Sequence, residues 1–303
     1  MLQEYREKGS FIGNRGKCQR PSKLTLRDQR HLKMCVRRQP FTTLENIRMS
    51  VEENGSVPVC RKTISNYLTR LNIKCRKARC KPLLTAFQRT RRVNWAKSLL
   101  AKPVRFWQRC LFLDECAITL LDASHQKVFR ADGEENLPQY VWPKVKHCPS
   151  VTIWACFSEK GVGEIRILPP NQRMNSQWYN TILENEVRDT LLAHFGTLKN
   201  RFQDDGAPCH RSHVVVNKRH QLGITALEWP GQSPDCNPIE NMWRYLKGRI
   251  KTLNPRTIPE LRDAIITVWF NKISQEYCHA LCTSMPRRLR SVINNRGFPT
   301  KYW

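Results

Sequence analysis

Hydrophobic residues recur at helical spacing in three short segments near the start of the chain. Two segments open on Thr-x-x-acidic tetrapeptides, Thr25–Asp28 and Thr42–Glu45, which are typical of capping boxes. A third helix is predicted over Cys60–Leu71. The inward-facing positions are Leu26, Leu32 and Val36, then Leu44, Ile47 and Val51, then Ile64, Tyr67, Leu68 and Leu71. Three such helices are typical of a helix-turn-helix module, although any small three-helix bundle would give the same pattern.

A fourth helix is predicted over Leu83–Leu100, and from Arg109 onward the pattern changes to strands. Apolar, strand-like runs such as "CLFLDECAITLLD", "SVTIWACFS" and "GEIRILPP" come first. Helices and strands then alternate, beginning with a long helix over Ser176–Phe195 and including a helix over Glu240–Lys251. The long helix is predicted to bury Trp178, Ile182, Leu183, Val187, Leu191 and Leu192. This order predicts an α/β fold, a mixed sheet with flanking helices, preceded by a small all-α domain.

The same pattern divides the chain into four parts. Residues 1–23 are polar and typical of a linker, and residues 24–73 form the three-helix domain. Residues 74–108 form a basic linker and a helix whose wet side is expected to carry Arg89, Arg91 and Arg92. Residues 109–303 form the sheet domain.

Charge strengthens the DNA-binding interpretation of the first domain. The chain carries 52 Lys and Arg against 25 Asp and Glu, a net charge of +27. Residues 1–109 hold 27 of the basic residues and only 6 of the acidic ones. Basic charge of this density attracts polyanions by releasing condensed counterions, so nucleic acid is the expected partner. The alternative is a basic surface of the ribosomal type or one that serves only solubility.

Particular side chains are candidates for contact with double-stranded DNA. The third helix carries Arg61, Lys62, Ser65 and Asn66 on the face opposite its apolar residues. The basic segment that follows adds Arg76, Lys77 and Arg79. Residues 74–81 are expected to be a nuclear import signal, a phosphate-contacting linker or both, and a merely solvated linker is the alternative.

Other classes of protein are disfavoured. The chain lacks 18 consecutive apolar residues, so no membrane span is expected, and its charged N-terminus does not resemble a signal peptide. Its 13 cysteines are scattered, odd in number and without a Cys-x-x-Cys pair. They are expected to be reduced thiols rather than a disulfide framework or a zinc site.

Acidic residues at strand ends suggest chemistry in the second half. Asp114 lies inside an apolar strand, Asp204 and Asp205 end another strand, and Glu240 opens a helix. Strand ends and a neighbouring helix can meet in one crevice, where clustered carboxylates call for a cation such as Mg²⁺. Helix caps and ordinary salt bridges are the alternative explanation, and the pattern does not choose between Asp204 and Asp205.

These residues lie in blocks that resemble the Tc-like branch of the mariner superfamily of DNA transposases. The resemblance covers essentially the whole chain and includes "FLDE", "FQDDGAPCH", "LEWPGQSPDCNPIENMWRYLKGRI", "SMPRRLRSVI" and "TKYW". It implies a ribonuclease H-like catalytic fold with a DDE triad that binds two Mg²⁺ ions, for which Mn²⁺ can substitute. Carried over by motif, the triad is Asp114, Asp205 and Glu240, with Asp204 in place of the family's usual Gln.

The resemblance also implies partners and a cellular setting. They are terminal inverted repeats and TA target sites in double-stranded DNA, assembly as a homodimer or larger complex on DNA, and action in the nucleus. Residues 1–23 resemble only the tail of a first helix-turn-helix and its linker, so the rest of that module is expected to be missing. Two alternatives stay open: a transposase-derived DNA-binding protein without catalysis, and a ribonuclease H or repair nuclease.

Overall fold

The structure is a computed structural model that describes residues 22–55, 57–78, 81–120, 132–133, 137, 148–170 and 172–302. It separates into two compact units, residues 1–80 and residues 81–303. The first unit contains α1, α2 and α3, which span Leu26–Arg38, Leu44–Glu53 and Arg61–Arg70. Within the described ranges, no helix combines the length and apolar composition that a membrane span requires.

The small unit folds around the predicted apolar residues, with corrections at the helix starts. Leu32, Ile47, Val51, Ile64, Tyr67 and Leu68 are buried together. Leu26 and Leu44 are exposed instead, because each is the first residue of its helix and points away from the bundle. Leu24, which precedes α1, takes the core position.

Capping side chains fix where the first two helices begin. Thr25 and Asp28 form the predicted reciprocal capping box. The box predicted over Thr42–Glu45 does not form at α2, where Thr43 instead caps the helix by accepting a single hydrogen bond from the Asn46 amide. Glu45 is thereby released to pair with Arg48.

The larger unit is built on a five-stranded mixed sheet. Its strands β1 to β5 are Cys110–Thr119, Ser150–Ser158, Gly161–Ile167, Arg201–Gln203 and Thr225–Leu227. They lie in the order β3-β2-β1-β4-β5. Strand β1 pairs antiparallel with β2 and parallel with β4, while β2–β3 is antiparallel and β4–β5 is parallel. The helices α4 to α12 are Ala86–Leu100, Val104–Gln108, Ser176–Ile182, Arg188–Phe195, His213–Leu222, Ile239–Leu253, Ile258–Lys272, Gln275–Cys282 and Met285–Asn294.

Each face of the sheet packs on its own hydrophobic core. Side chains such as Phe112 and Phe157 pack with α9, α10, α11 and α12 on one face. Side chains such as Leu111 and Phe202 pack with α6, α7 and α8 on the other face. The mixed sheet with helices on both faces and a helical domain before it confirms the predicted fold class.

The helix predicted over Ser176–Phe195 is interrupted by a π-helical segment at Leu183–Val187. A π-turn shifts the helical phase, so the residues beyond it no longer follow a 3.6-residue repeat. Leu192 is therefore exposed. Before the π-helical segment, Tyr179 takes the buried position that was predicted for Trp178, which is only half-buried.

Arg92 of α4 is fully buried, which corrects its expected place on the solvent side of the helix. Its guanidinium donates two hydrogen bonds to the Asp235 carboxylate, at 2.9 and 2.7 Å, and one to the Gly297 carbonyl at 2.9 Å. The Thr300 amide donates to the same carboxylate at 2.9 Å. This bidentate pair links α4, the "QSPD" motif and the end of the chain.

Gly297 lets the segment after α12 approach α4. Its backbone is left-handed, with φ of +77°. A β-carbon at this position would lie 2.3 Å from the Arg89 carbonyl oxygen. Only glycine therefore permits the close approach that brings the Gly297 carbonyl to Arg92.

We predict that Arg92→Ala lowers the unfolding free energy of the larger unit by about 3–5 kcal/mol, because it leaves Asp235 buried and unpaired. Differential scanning calorimetry measures the change. The control is Arg91→Ala, since Arg91 lies one residue earlier on α4 and is exposed. Equal melting temperatures for the two variants would contradict the structural role of the pair.

Candidate active site

Four carboxylates, those of Asp114, Glu115, Asp205 and Glu240, line one cleft of about 230 Å³. Asp114 belongs to β1, Asp205 follows the end of β4, and Glu240 is the second residue of α9. The structure therefore brings together the three residues on which the sequence prediction of chemistry depends. Gln203 and Asn237 also line this cleft.

Sheet geometry explains why Asp205, and not Asp204, faces the cleft. Phe112 and Gln203 are register partners on β1 and β4, and alternate residues of a strand share a face. Asp114 lies two residues after Phe112, and Asp205 lies two residues after Gln203. Asp204 instead follows the phase of Phe202, which packs in the core of the opposite face.

Asp204 is held in the protein interior. It is 5% exposed, and its carboxylate accepts hydrogen bonds from the Tyr179 hydroxyl at 3.1 Å and the Gly206 amide at 3.1 Å. Arg219 lies 3.4 Å away and balances its charge. Asp204 is thus fully engaged by protein groups.

Asp205 is half-exposed and held ready as an anion. Burial raises the pKa of its carboxyl, but hydrogen bonds from His210 at 2.9 Å and from the Ala207 amide at 2.8 Å outweigh that effect and lower it. One oxygen atom, Oδ1, accepts both bonds. The carboxylate can therefore present its other oxygen to the cleft.

His210 is a buried residue that contacts both Asp205 and Glu115. It is 2% exposed and stacks on Tyr179, with ring centroids 3.9 Å apart. Burial lowers its pKa, but Asp205 and Glu115, the latter 3.3 Å from Nε2, raise it to about 10. His210 is thus a buried cation that orients Asp205, consistent with a structural histidine.

The cleft disfavours the ionised form of Asp114 more than that of Asp205 or Glu240. Burial is the largest cause of its raised pKa, and repulsion from Glu115, Glu240 and Asp205 adds to it. The buried Asn237 amide donates to Asp114 Oδ2 at 3.3 Å and to the Leu113 carbonyl at 3.2 Å. A cation in the cleft would relieve this repulsion.

Glu240 lies in the first turn of α9, where the helix dipole favours a negative charge. Burial raises the pKa of its carboxyl, while Lys247 and Arg244, further along the same helix, partly offset the rise. The carboxylate therefore faces both an acidic cleft and a basic helix surface.

The three carboxylates do not form a closed coordination shell. Among the residues that the structure describes, no three His, Cys, Asp or Glu side chains are grouped closely enough to hold one ion. No disulfide bond forms among the cysteines in those ranges. An ion in this cleft would need ligands from outside the protein as well, such as phosphate oxygens or water.

The DNA-contact candidates lie in the first unit. Arg61, Lys62 and Asn66 are exposed on α3, and Ser65 is half-buried. Arg61 lies 3.8 Å from Glu45. Of the basic residues after α3, Arg76 and Lys77 are exposed, and Arg79 lies outside the described residues.

Known protein families match both the helical domain and the sheet domain. Residues 29–101 match a family described as "Transposase", and residues 109–262 match the "DDE superfamily endonuclease" family. The Tcb1 transposase of Caenorhabditis briggsae is 34% identical over 91% of this chain and 100% of its own length. The Tc1 transposase of Caenorhabditis elegans is 30% identical over 90% of this chain and 99% of its own length.

The chain belongs to the Tc1/mariner family of DDE transposases. A solved Mos1 transposase paired-end complex has the same fold, with a TM-score of 0.79 and 18% identity over 99% of this chain and 87% of that one. The sheet domain is thus ribonuclease H-like. Other Mos1 paired-end complexes were solved with Mn or with Mg.

Asn237 and Gln203 are cleft residues of the transposase that were not predicted from the sequence pattern. Asn237 fixes Asp114 relative to α9, and Gln203 is fully buried in the cleft wall with neither amide atom bonded to another protein group. The signal for Asn237 was its place in the "NPIEN" block. The sequence did not single out Gln203, because polar residues are common at the ends of strands.

We predict opposite phenotypes for the adjacent aspartates of the transposase. Asp205→Asn should abolish DNA cleavage with little change in melting temperature, because its carboxylate is half-exposed. Asp204→Asn should lower the unfolding free energy by about 1–3 kcal/mol, since it removes the buried charge that pairs with the partly buried Arg219. Calorimetry and a cleavage assay on both variants check this, and abolished cleavage with unchanged stability for Asp204→Asn would refute the assignment.

Proposed function

We propose that this transposase moves DNA by a cut-and-paste reaction in which Asp114, Asp205 and Glu240 hold two Mg²⁺ or Mn²⁺ ions. The observation that supports this is the convergence of three carboxylates, from β1, the end of β4 and the start of α9, on one cleft. Such ions, when bound, would activate the attacking oxygen and stabilise the leaving oxygen of a phosphodiester.

The residues of the cleft fit divalent ions. Carboxylate oxygen is the ligand type that Mg²⁺ prefers, and each ion needs only one or two carboxylates beside substrate oxygens. Repulsion from Glu240 and Asp205 contributes to the raised pKa of Asp114, so charge in the cleft is uncompensated. The unbonded Gln203 amide provides a polar group for a water molecule or a phosphate oxygen.

Protein groups set the geometry of each carboxylate. His210 holds one oxygen of Asp205, Asn237 holds Asp114, and the first turn of α9 holds Glu240. These contacts orient the ligands before DNA arrives, so little reorganisation is required during the reaction.

We propose that residues 24–73 read terminal inverted repeats through α3, with Arg61, Lys62, Ser65 and Asn66 toward the groove. Arg76, Lys77 and Arg79 would contact phosphates. Family membership and the basic charge also support three further proposals. They are insertion at TA sites, assembly as a homodimer or larger complex on DNA, and action in the nucleus. The Mos1 complexes, which are paired-end assemblies, support the assembly proposal.

We predict that Asp114→Asn abolishes cleavage of terminal-repeat DNA in both Mg²⁺ and Mn²⁺, because it removes one ligand charge and leaves the fold intact. A nicking assay and a gel shift on the same duplex measure this, and DNA affinity should stay within about twofold. Cleavage at the wild-type rate by the variant would refute the triad. Sequence-specific binding by the wild type without any cleavage would favour the alternative of a DNA-binding protein without catalysis.

We predict that the double variant Arg61→Ala/Lys62→Ala weakens binding to the terminal repeat by about 1–3 kcal/mol for each hydrogen-bonded base pair that it ceases to read. A gel-shift titration across salt concentrations measures the affinity and its salt slope. Lys33→Ala is the control, since Lys33 is exposed on α1. Equal losses of affinity in the two variants, for repeat DNA and for unrelated DNA alike, would show that α3 does not read the base sequence.

A further inference from the structure

A row of basic side chains runs along α9 from the catalytic cleft. Arg244, Lys247 and Lys251 follow Glu240 at steps of four, three and four residues, so all four lie on one stripe of the helix. All three basic residues are exposed. A neighbouring face of α9 is buried and includes Met242, Trp243, Leu246 and Ile250.

The row is continuous with the site. The charges of Arg244 and Lys247 act on the Glu240 carboxyl, and the Lys247 ammonium also reaches the Cys116 thiol of β1. Lys247 and Lys251 then border a small cavity of about 90 Å³ beside the end of β1. The row therefore leads from the carboxylates toward that end of the strand.

Two of the three positive charges on this row, those of Arg244 and Lys247, lack a carboxylate partner outside α9 among the described residues. Glu240 is the only acidic residue of α9. Two exposed cations beside a cluster of carboxylates thus remain available to an anionic partner.

We propose that this basic row binds the phosphate backbone of the DNA strand that enters the cleft, and so positions the scissile phosphate at the carboxylates. The inference deepens the proposed function and rests on it. From Glu240 to Lys251 the helix rises about 16 Å at 1.5 Å per residue. That length matches roughly five nucleotides at 3.4 Å each, so the row can follow a strand over several phosphates.

The row is a positioning surface and has no role in the chemical step itself. It should add to affinity without regard to base sequence, because it faces phosphates. It should also raise the cleavage rate by holding the strand in register with the cleft.

The first test compares Arg244→Gln/Lys247→Gln with Arg249→Gln in the full chain. Arg249 is exposed on the same helix but lies half a turn from the row. The double variant should lower the salt slope of DNA binding by about two, at roughly 0.9 per neutralised phosphate, and slow end cleavage at least tenfold. Arg249→Gln should change neither. The variant Arg244→Lys/Lys247→Arg keeps both positive charges and should cleave at close to the wild-type rate. If the two side chains acted only through their particular shapes, this variant would be as slow as the glutamine variant.

The second test reads contact directly and does not depend on cleavage. Lysine acetylation followed by mass spectrometry, on the Asp114→Asn chain with terminal-repeat duplex and no divalent ion, should show protection of Lys247 by DNA. Lys272, which is exposed at the end of α10, is the internal control and should react equally with and without DNA.

The outcomes separate this inference from the proposed function. Equal acetylation of Lys247 with and without DNA, or an unchanged salt slope in the double variant, would overturn the inference even if Asp114→Asn is inactive. Protection of Lys247 combined with normal cleavage by Asp114→Asn would support the row and refute the triad instead.

Discussion

The buried pair of Arg92 and Asp235 is the constraint on which the catalytic unit depends. Two parallel hydrogen bonds join a helix that precedes the sheet to a loop that follows its last strand. Two residues beyond Asp235 lies Asn237, and three further lies Glu240, so the pair fixes the segment from which α9 begins. A bidentate guanidinium–carboxylate contact is directional, and it therefore sets orientation as well as proximity. Removal of either partner would leave the other as a buried charge.

The cleft itself shows how one sheet sorts similar side chains into different roles. Asp204 and Asp205 are neighbours in sequence but belong to opposite faces, so one balances Arg219 in the interior and the other faces the cleft. His210 lies between the two environments and ties Asp205 to the stacked ring of Tyr179. The like charges that remain in the cleft disfavour the empty site and favour a bound cation.

Much of the fold could be predicted from the sequence because strand and helix periods differ clearly in this chain. The mixed sheet, the three-helix domain and the buried residues of α3 all followed from the pattern. Leu26 and Leu44 were misplaced because helix starts are poorly defined by periodicity, and Leu192 because a π-turn changes the phase. Arg92 was misplaced because its partner lies 143 residues away, which no local pattern can indicate.

The site was predictable only through its motifs. Strand alternation alone left Asp204 and Asp205 equivalent, since the register of β4 against β1 was not known. Resemblance to the family pointed to Asp205, and the sheet now supplies the physical reason. Asn237 and Gln203 escaped because their roles arise from contacts formed only after folding.

The closing residues of the chain are part of the foundation of the cleft. The Thr300 amide shares the Asp235 carboxylate with Arg92, the Thr300 carbonyl accepts from Lys81, and the Tyr302 ring lies against Arg288. A mutation that disrupted only residues 297–302 would therefore weaken the anchor that lies just before Asn237 and Glu240. A gene copy that keeps every motif of the cleft can thus encode a less stable catalytic unit because of a lesion far from that cleft in sequence.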